Sequence, residues 1–226
     1  MIVGFDTATA VTAVAASRNG EVLFSTTEGA GADGRPRHAG VLLPLVEQAV
    51  DACGGWQQVD RVAVGIGPGT FTGIRIGVVT ARALAAAHRC ELSAVETTRA
   101  VGARAARAAG TDACAVIDGK RGEVFASLVT PEGTPVWGPI VSAPSDLAAR
   151  LDAEGFAGPL AGDGLDLHAD VLIGGSGRRR ASEALDRVDG EELCRLASAE
   201  PASEFADVMP LYLRRPDAER WIARDG

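Results

Sequence analysis

The chain has 226 residues, of which 46% are hydrophobic but only 4% aromatic, and it carries a net charge of −8. That length admits one large domain or two small ones, with a core built from small aliphatic residues rather than rings. The acidic balance argues against nucleic-acid binding by this chain alone, so most phosphate contacts to any RNA would have to come from another subunit.

Residues 2–5 form a short apolar strand that starts at the N-terminus, with no basic n-region or long apolar h-region before it. No apolar run approaches the roughly 20 residues a bilayer span requires. A cytoplasmic protein with no membrane association is therefore expected. The strand ends at Asp6-Thr7-Ala8-Thr9, residues 11–16 read as a second strand, and Arg18-Asn19-Gly20-Glu21 carries the Asn-Gly preference of a tight hairpin. Residues 21–27 return as a third strand, and 29–36 form a glycine-rich surface loop. Over 38–53 the apolar residues Val41, Leu42, Leu45, Val46, Ala49 and Val50 recur at helical spacing. Pro44 interrupts that pattern and implies either a kink or a helix that begins near it.

A strand at 61–64 leads into Gly65-Ile66-Gly67-Pro68-Gly69-Thr70-Phe71-Thr72-Gly73-Ile74-Arg75-Ile76-Gly77, which opens a helix over 73–88. A glycine-rich turn between strand and helix brings backbone close to something, either an anion at the positive helix end or another backbone. It is not a Walker loop, since no lysine follows the glycines. Nor is it the dinucleotide fingerprint, because Thr70 stands three after Gly67.

A fifth strand at 92–95 and an alanine-rich helix at 97–109 follow. Strands at 112–118 and 123–130 pair across Gly119-Lys120-Arg121-Gly122, and a turn at 131–135 leads to a strand at 136–141. The strand-strand-strand-helix order therefore recurs from about residue 112, without a residue-level repeat. Cys53, Cys90, Cys114 and Cys194 stand far apart and read as buried thiols. No nucleophile elbow or Cys/His pair with a recognisable context is present.

The glycine-rich segment closely resembles the signature of the TsaB (YeaZ) family of tRNA threonylcarbamoyladenosine synthesis. Four further segments resemble that family in order: Gly4-Phe5-Asp6-Thr7-Ala8-Thr9, the His38 to Pro44 run, Asp118-Gly119-Lys120-Arg121-Gly122-Glu123-Val124-Phe125, and Pro210-Leu211-Tyr212-Leu213-Arg214. Lys120 stands where the family has arginine, and Phe125 where it has tyrosine. The resemblance extends from residue 2 to about 214. It implies an α/β, two-lobed fold of the actin, sugar-kinase and Hsp70 ATPase type, built from duplicated βββαβα units. The expected lobes are residues 1–110 and 111–202, with a C-terminal helix over about 203–226 packing back on the first.

By the same resemblance the chain is expected to be a non-catalytic subunit that binds and activates the TsaD-type catalytic paralogue, which modifies adenosine-37 of tRNA. A TsaE-type P-loop ATPase would dock on the pair, tRNA would be met only through the complex, and the free chain could pair with itself. The partner would meet the two N-lobe helices at His38, Leu42, Leu45, Thr72, Gly73, Arg75, Ile76, Gly77 and Thr80. The alternative for these small residues is that they pack on the chain's own sheet; Arg75 and Arg82 would pair with partner carboxylates.

Asp6 and Thr7, with Gly162, Asp163 and Gly164, occupy the places of the fold's two phosphate turns and are expected to form a vestigial nucleotide site. For Asp6 the competing reading is an Asx-type turn that satisfies local N–H groups. No cofactor is required, and weak ATP or ADP binding stays open. Asp6 and Asp118 would face each other across the cleft. The catalytic paralogue has His-x-x-x-His, but Leu42 stands four after His38, so no metal site is expected and His38 is read as a packing residue at the helix start. Arg178-Arg179-Arg180 reads as an exposed loop. Two rival functions are an active ATPase or small-molecule kinase of this superfamily and, more remotely, a metallopeptidase-like protein.

Overall fold

A computed structural model describes residues 1–214 of the chain. It contains two five-stranded sheets. The first is formed by β1 (Ile2–Asp6), β2 (Thr12–Arg18), β3 (Glu21–Glu28), β4 (Arg61–Gly65) and β5 (Glu91–Val95), in the spatial order β3-β2-β1-β4-β5. The second is formed by β6 (Ala113–Asp118), β7 (Val124–Val129), β8 (Pro135–Ser142), β9 (Pro159–Ala161) and β10 (Arg179–Arg180), in the order β10-β9-β6-β7-β8. Both sheets thus have one plan, third-second-first-fourth-fifth in chain order. The first three strands of each are antiparallel and the last two run parallel to the first. The repetition inferred from element order is a repetition of topology, and the fold is the two-lobed actin-like one.

The central strands carry near-continuous apolar runs because both of their faces are covered. On β1, Val3 and Phe5 point into a core with Leu42, Val46, Val50, Val62, Val64, Ile74 and Val78, supplied partly by α1 (His38–Cys53) and α2 (Phe71–His88). Gly4, on the other face of β1, meets α6 (Gly190–Ala199): a side chain there would come within 2.8 Å of Cys194 Sγ. Gly190 is as closely placed, 2.5 Å from the Ala15 nitrogen had it a Cβ, so helix and sheet touch almost backbone to backbone. In the second sheet Ala113, Ala115 and Ile117 face α3 (Thr97–Ala109), while Cys114 and Val116 face α4 (Pro144–Ala153) and α5 (Leu165–Ile173). The layers therefore run α1/α2, first sheet, α6 with α3, second sheet, α4/α5. The abundant alanine fits the crowded middle: Ala13, Ala15, Ala105, Ala106, Ala113 and Ala115 are all buried.

Local signals explain several boundaries. Asn19 (φ 49) and Gly20 (φ 84) make the left-handed pair of the predicted hairpin turn. α1 and α3 stop at glycines in the left-handed region, Gly54 and Gly110. The Asp189 carboxylate caps α6 by accepting from Glu191 N at 2.8 Å.

Two expectations about helices are corrected. α1 begins at His38 and continues through Pro44, whose ring is exposed. The C-terminal segment does not turn helical at 203. Residues 203–212 follow the first lobe without helix, through a turn at 205–207; Ser203 pairs with Leu92 of β5 and Leu211 N donates to Ile66 O at 2.8 Å. Pro210, with no N–H of its own, fits that path; the rest of the expected helix lies outside the described residues. The helix that crosses back onto β1 and β2 is α6, within the range expected for the second lobe.

Candidate functional site

The glycine-rich segment folds over the turn that follows β1. Thr70 N donates to Ala8 O at 2.7 Å, and the Thr7 hydroxyl donates to Gly73 O at 2.7 Å. A Cβ on Gly69 would overlap the Ala8 carbonyl, one on Gly73 would overlap the Thr7 carbonyl, and one on Gly77 would lie 2.7 Å from Thr7 Oγ1. These glycines make room for another backbone, the second of the two possibilities that the sequence left open.

Asp6 lies completely buried beneath this loop. Its Oδ1 accepts from Ala8 N at 2.6 Å and its Oδ2 accepts from the Thr97 hydroxyl at 2.7 Å. Thr97 Oγ1 in turn accepts from Gly67 N at 3.1 Å. Burial pushes the Asp6 carboxyl up to about 6, against the pull of its two hydrogen bonds. Asp6 is therefore built into an Asx-type turn joining β1, the signature loop and the first residue of α3. It is covered rather than facing Asp118 across a cleft, and Asp118 pairs with Lys120 at 2.7 Å.

His38, also buried, ties the start of α1 to the same region. Its Nε2 is 3.0 Å from Thr9 O and its Nδ1 is 2.7 Å from Thr12 Oγ1. Since a carbonyl only accepts, Nε2 carries the proton and Nδ1 accepts from the threonine hydroxyl. Burial holds the imidazole pKa below its usual value. Both ring nitrogens are thus committed, and among the described residues no three His, Cys, Asp or Glu side chains converge as metal ligands.

The turn after β9 is filled in the same way. Gly162 N donates to Asp186 Oδ1 at 2.6 Å, Gly164 N to Val116 O at 3.0 Å, and Asp163 Oδ1 accepts from Asp118 N at 2.9 Å. Burial raises the Asp163 pKa. Asp186 is buried and ion-paired with Arg180 and Arg187, and both arginines also reach Asp166. At both turns these backbone and hydroxyl donors are taken by the chain's own carboxylates and carbonyls.

The helix pair divides into two faces. His38, Leu42, Leu45, Gly73 and Gly77 are buried in the chain's own core, so these five expected partner contacts point inward. Thr72 and Arg75 are exposed, and Ile76 and Thr80 half-buried. The outer face also carries Val79, 64% exposed, and Leu43, 51% exposed, which the sequence reading missed. The signal was present: both stand on the helix side away from the glycines and core leucines.

Arg75 stacks 3.7 Å over the Phe71 ring and donates from Nε to the Tyr212 hydroxyl at 2.8 Å. Arg82 is held by the Phe205 and Val208 carbonyls at 2.8 and 3.0 Å, and no partner carboxylate is needed to satisfy it. The basic triplet is not a loop, and only its last two residues are exposed. Arg178 is buried, donating to Leu172 O at 2.7 Å and pairing with Asp152 at 2.6 Å, and Arg179–Arg180 forms β10.

Residues 34–158 match the family model described as TsaD, tRNA N6-adenosine threonylcarbamoyltransferase. An uncharacterised protein of Mycobacterium leprae is 30% identical over 97% of this chain, which spans 56% of that relative's length. An uncharacterised protein of Mycobacterium tuberculosis is 32% identical over 96% of this chain and 93% of its own. The tRNA threonylcarbamoyladenosine biosynthesis protein TsaB of Escherichia coli is 32% identical over 60% of this chain and 58% of its own. Among solved structures, YeaZ of Pseudomonas aeruginosa superposes with a TM-score of 0.78 at 28% identity, covering 94% of this chain and 99% of that one.

Proposed function

Because the chain belongs to the TsaB (YeaZ) family, we propose that it acts in tRNA threonylcarbamoyladenosine biosynthesis as the non-catalytic partner of the TsaD-type threonylcarbamoyltransferase. The observation that carries this reading is the outer face of α1 and α2. Val79, Leu43, Ile76, Thr72 and Ala83 leave a largely apolar set of solvent-reached side chains on two helices of the first lobe that touch each other, with Arg75 among them. A surface of this composition on a well-packed chain fits another protein. A paralogue with the same two helices would meet it as helix against helix, and a second copy of this chain would do so when the paralogue is absent.

The filling of both phosphate turns by internal acceptors supports a binding rather than a hydrolytic role, with no nucleotide required. The net charge of −8 supports contact with tRNA only through the assembled complex. On this reading the complex, with its TsaE-type ATPase, works in the cytoplasm. No helix among the described residues is long and apolar enough to cross a membrane.

The test is co-expression with the TsaD-type paralogue of the same organism, comparing the native chain with Leu43→Arg/Val79→Arg. Both positions face solvent, so the variant keeps its circular dichroism spectrum while the stoichiometric complex is lost. No complex with the native chain, together with ATP turnover by the isolated chain, would favour a kinase or ATPase instead.

A further inference from the structure

Residues 203–214 touch both lobes in sequence. On the first, Ser203 pairs with β5 through Leu92 and accepts from Ala94 N at 3.0 Å on its hydroxyl. Val208 is buried in the first core, and Tyr212 stacks on Phe71 with ring centroids 4.8 Å apart while it holds Arg75. One residue later the chain changes lobe. Leu213 packs against the cluster containing Ile117 and Phe125, and Arg214 pairs with Glu123 at 2.5 Å and donates to the Gly119 carbonyl.

What Arg214 grips is a hairpin under strain. Lys120 (φ 62) and Arg121 (φ 58) both stand in the left-handed region, followed by Gly122 (φ 76). A non-glycine residue is disfavoured there and persists where its surroundings hold it. The Arg214 guanidinium spans the hairpin, binding the carbonyl before the strained pair and the carboxylate after it. We propose that residues 203–214 are a strap that couples the outer face of α2 to this hairpin, so that the state of Arg75 on the first lobe sets the stability of residues 119–123 on the second. The coupling is a property of the chain itself and goes beyond the partner-subunit reading, since it needs no partner on α2.

Hydrogen exchange by mass spectrometry on the full chain tests it. The reporters are the hairpin amides of Gly119 and Glu123, bonded to Glu123 O at 2.9 Å and Lys120 O at 3.1 Å. Arg214→Gln is expected to speed their exchange about three- to tenfold, the range for loss of an ordinary hydrogen bond, because solvent reaches this ion pair and weakens it. Arg75→Gln, on the other lobe, is expected to speed the same amides about two- to fivefold and to add nothing once Arg214 is replaced. Tyr212→Phe, which keeps the ring stack, should act in the same direction. Acceleration by Arg75→Gln confined to 71–76 and 209–214 would overturn the proposal, and so would a uniform rise that includes β1, which signals a global loss of stability.

Discussion

The Thr7 hydroxyl and the Gly73 carbonyl, 66 residues apart in the chain, meet at 2.7 Å where the turn after β1 passes beneath the first turn of α2. This contact is possible only because Gly73 has no side chain, since a Cβ there would overlap the Thr7 carbonyl. Gly73→Ala should therefore destabilise the chain by about 2–3 kcal/mol through overpacking against backbone that cannot yield. Gly40, in α1, has open space where its Cβ would stand. Gly40→Ala should stabilise by about 0.5–1 kcal/mol by removing helix-interior glycine. Paired urea titrations with unchanged slope would check both; equal effects at the two positions would contradict the packing argument.

Asp6 gives the stability a definite pH dependence. Its folded-state carboxyl is raised to about 6, above the ordinary aspartate value of 3.8, so between these values the folded chain binds more protons than the unfolded one. Stability contributed by protonated Asp6 is complete below the lower value and is lost as pH rises through the upper. The loss is on the order of 3 kcal/mol across that window. Asp6→Asn keeps an acceptor for Ala8 N and cannot ionise, so its stability should rise relative to native between pH 4 and 7. Thermal melts of both proteins at half-unit steps would show it, and parallel curves would remove Asp6 as the cause.

The sequence made the first lobe legible because its cues are local: an Asn-Gly hairpin, a helical apolar stripe, and a glycine-rich turn between strand and helix. The second lobe was harder after its third strand. α4 begins with proline at its first position, a signal the reading did not use. α5 is only nine residues long with His168 outside helical geometry (φ −129), too short and broken for periodicity to register. The candidate site failed in a more instructive way. Small residues on a helix announce that something comes close but not what, and here Gly73 and Gly77 are closed by Thr7 of the same chain. Nor can a linear pattern disclose that Gly162 N would find Asp186, because that pairing depends on how residues 179–187 fold back.

The four thiols should separate by reactivity. Cys114 is fully buried and its pKa is driven far up, and burial pushes Cys194 up to about 12. Cys53 is buried as well, whereas Cys90 is half-exposed at the end of α2. Burial raises the Cys53 and Cys90 thiols as well, so access decides, and it favours Cys90. A maleimide added to the folded chain should modify Cys90 first and leave Cys114 and Cys194 untouched until denaturant is added. Early labelling of Cys114, located by peptide mass, would be incompatible with the second core.

The joint between the sheets is held by charge. Glu192 on α6 is 1% exposed and is paired with Arg107 of α3 at 2.9 Å and with Arg195 at 2.6 Å. Arg107 is itself half in solvent, so Arg107→Ala alone should cost only about 1 kcal/mol while Arg195 still neutralises the carboxylate. Arg107→Ala/Arg195→Ala leaves a buried charge without a partner and should cost about 3–5 kcal/mol, more than the two single effects together. Adding Glu192→Leu to that double variant removes the stranded charge and should recover most of the loss, since apolar replacement of a whole buried ion cluster is often near neutral. Urea midpoints across the native chain, the two single variants, the double and the triple provide the measurement. Additive single effects with no recovery on Glu192→Leu would mean that the arginines act through their packed stems and not through the buried carboxylate.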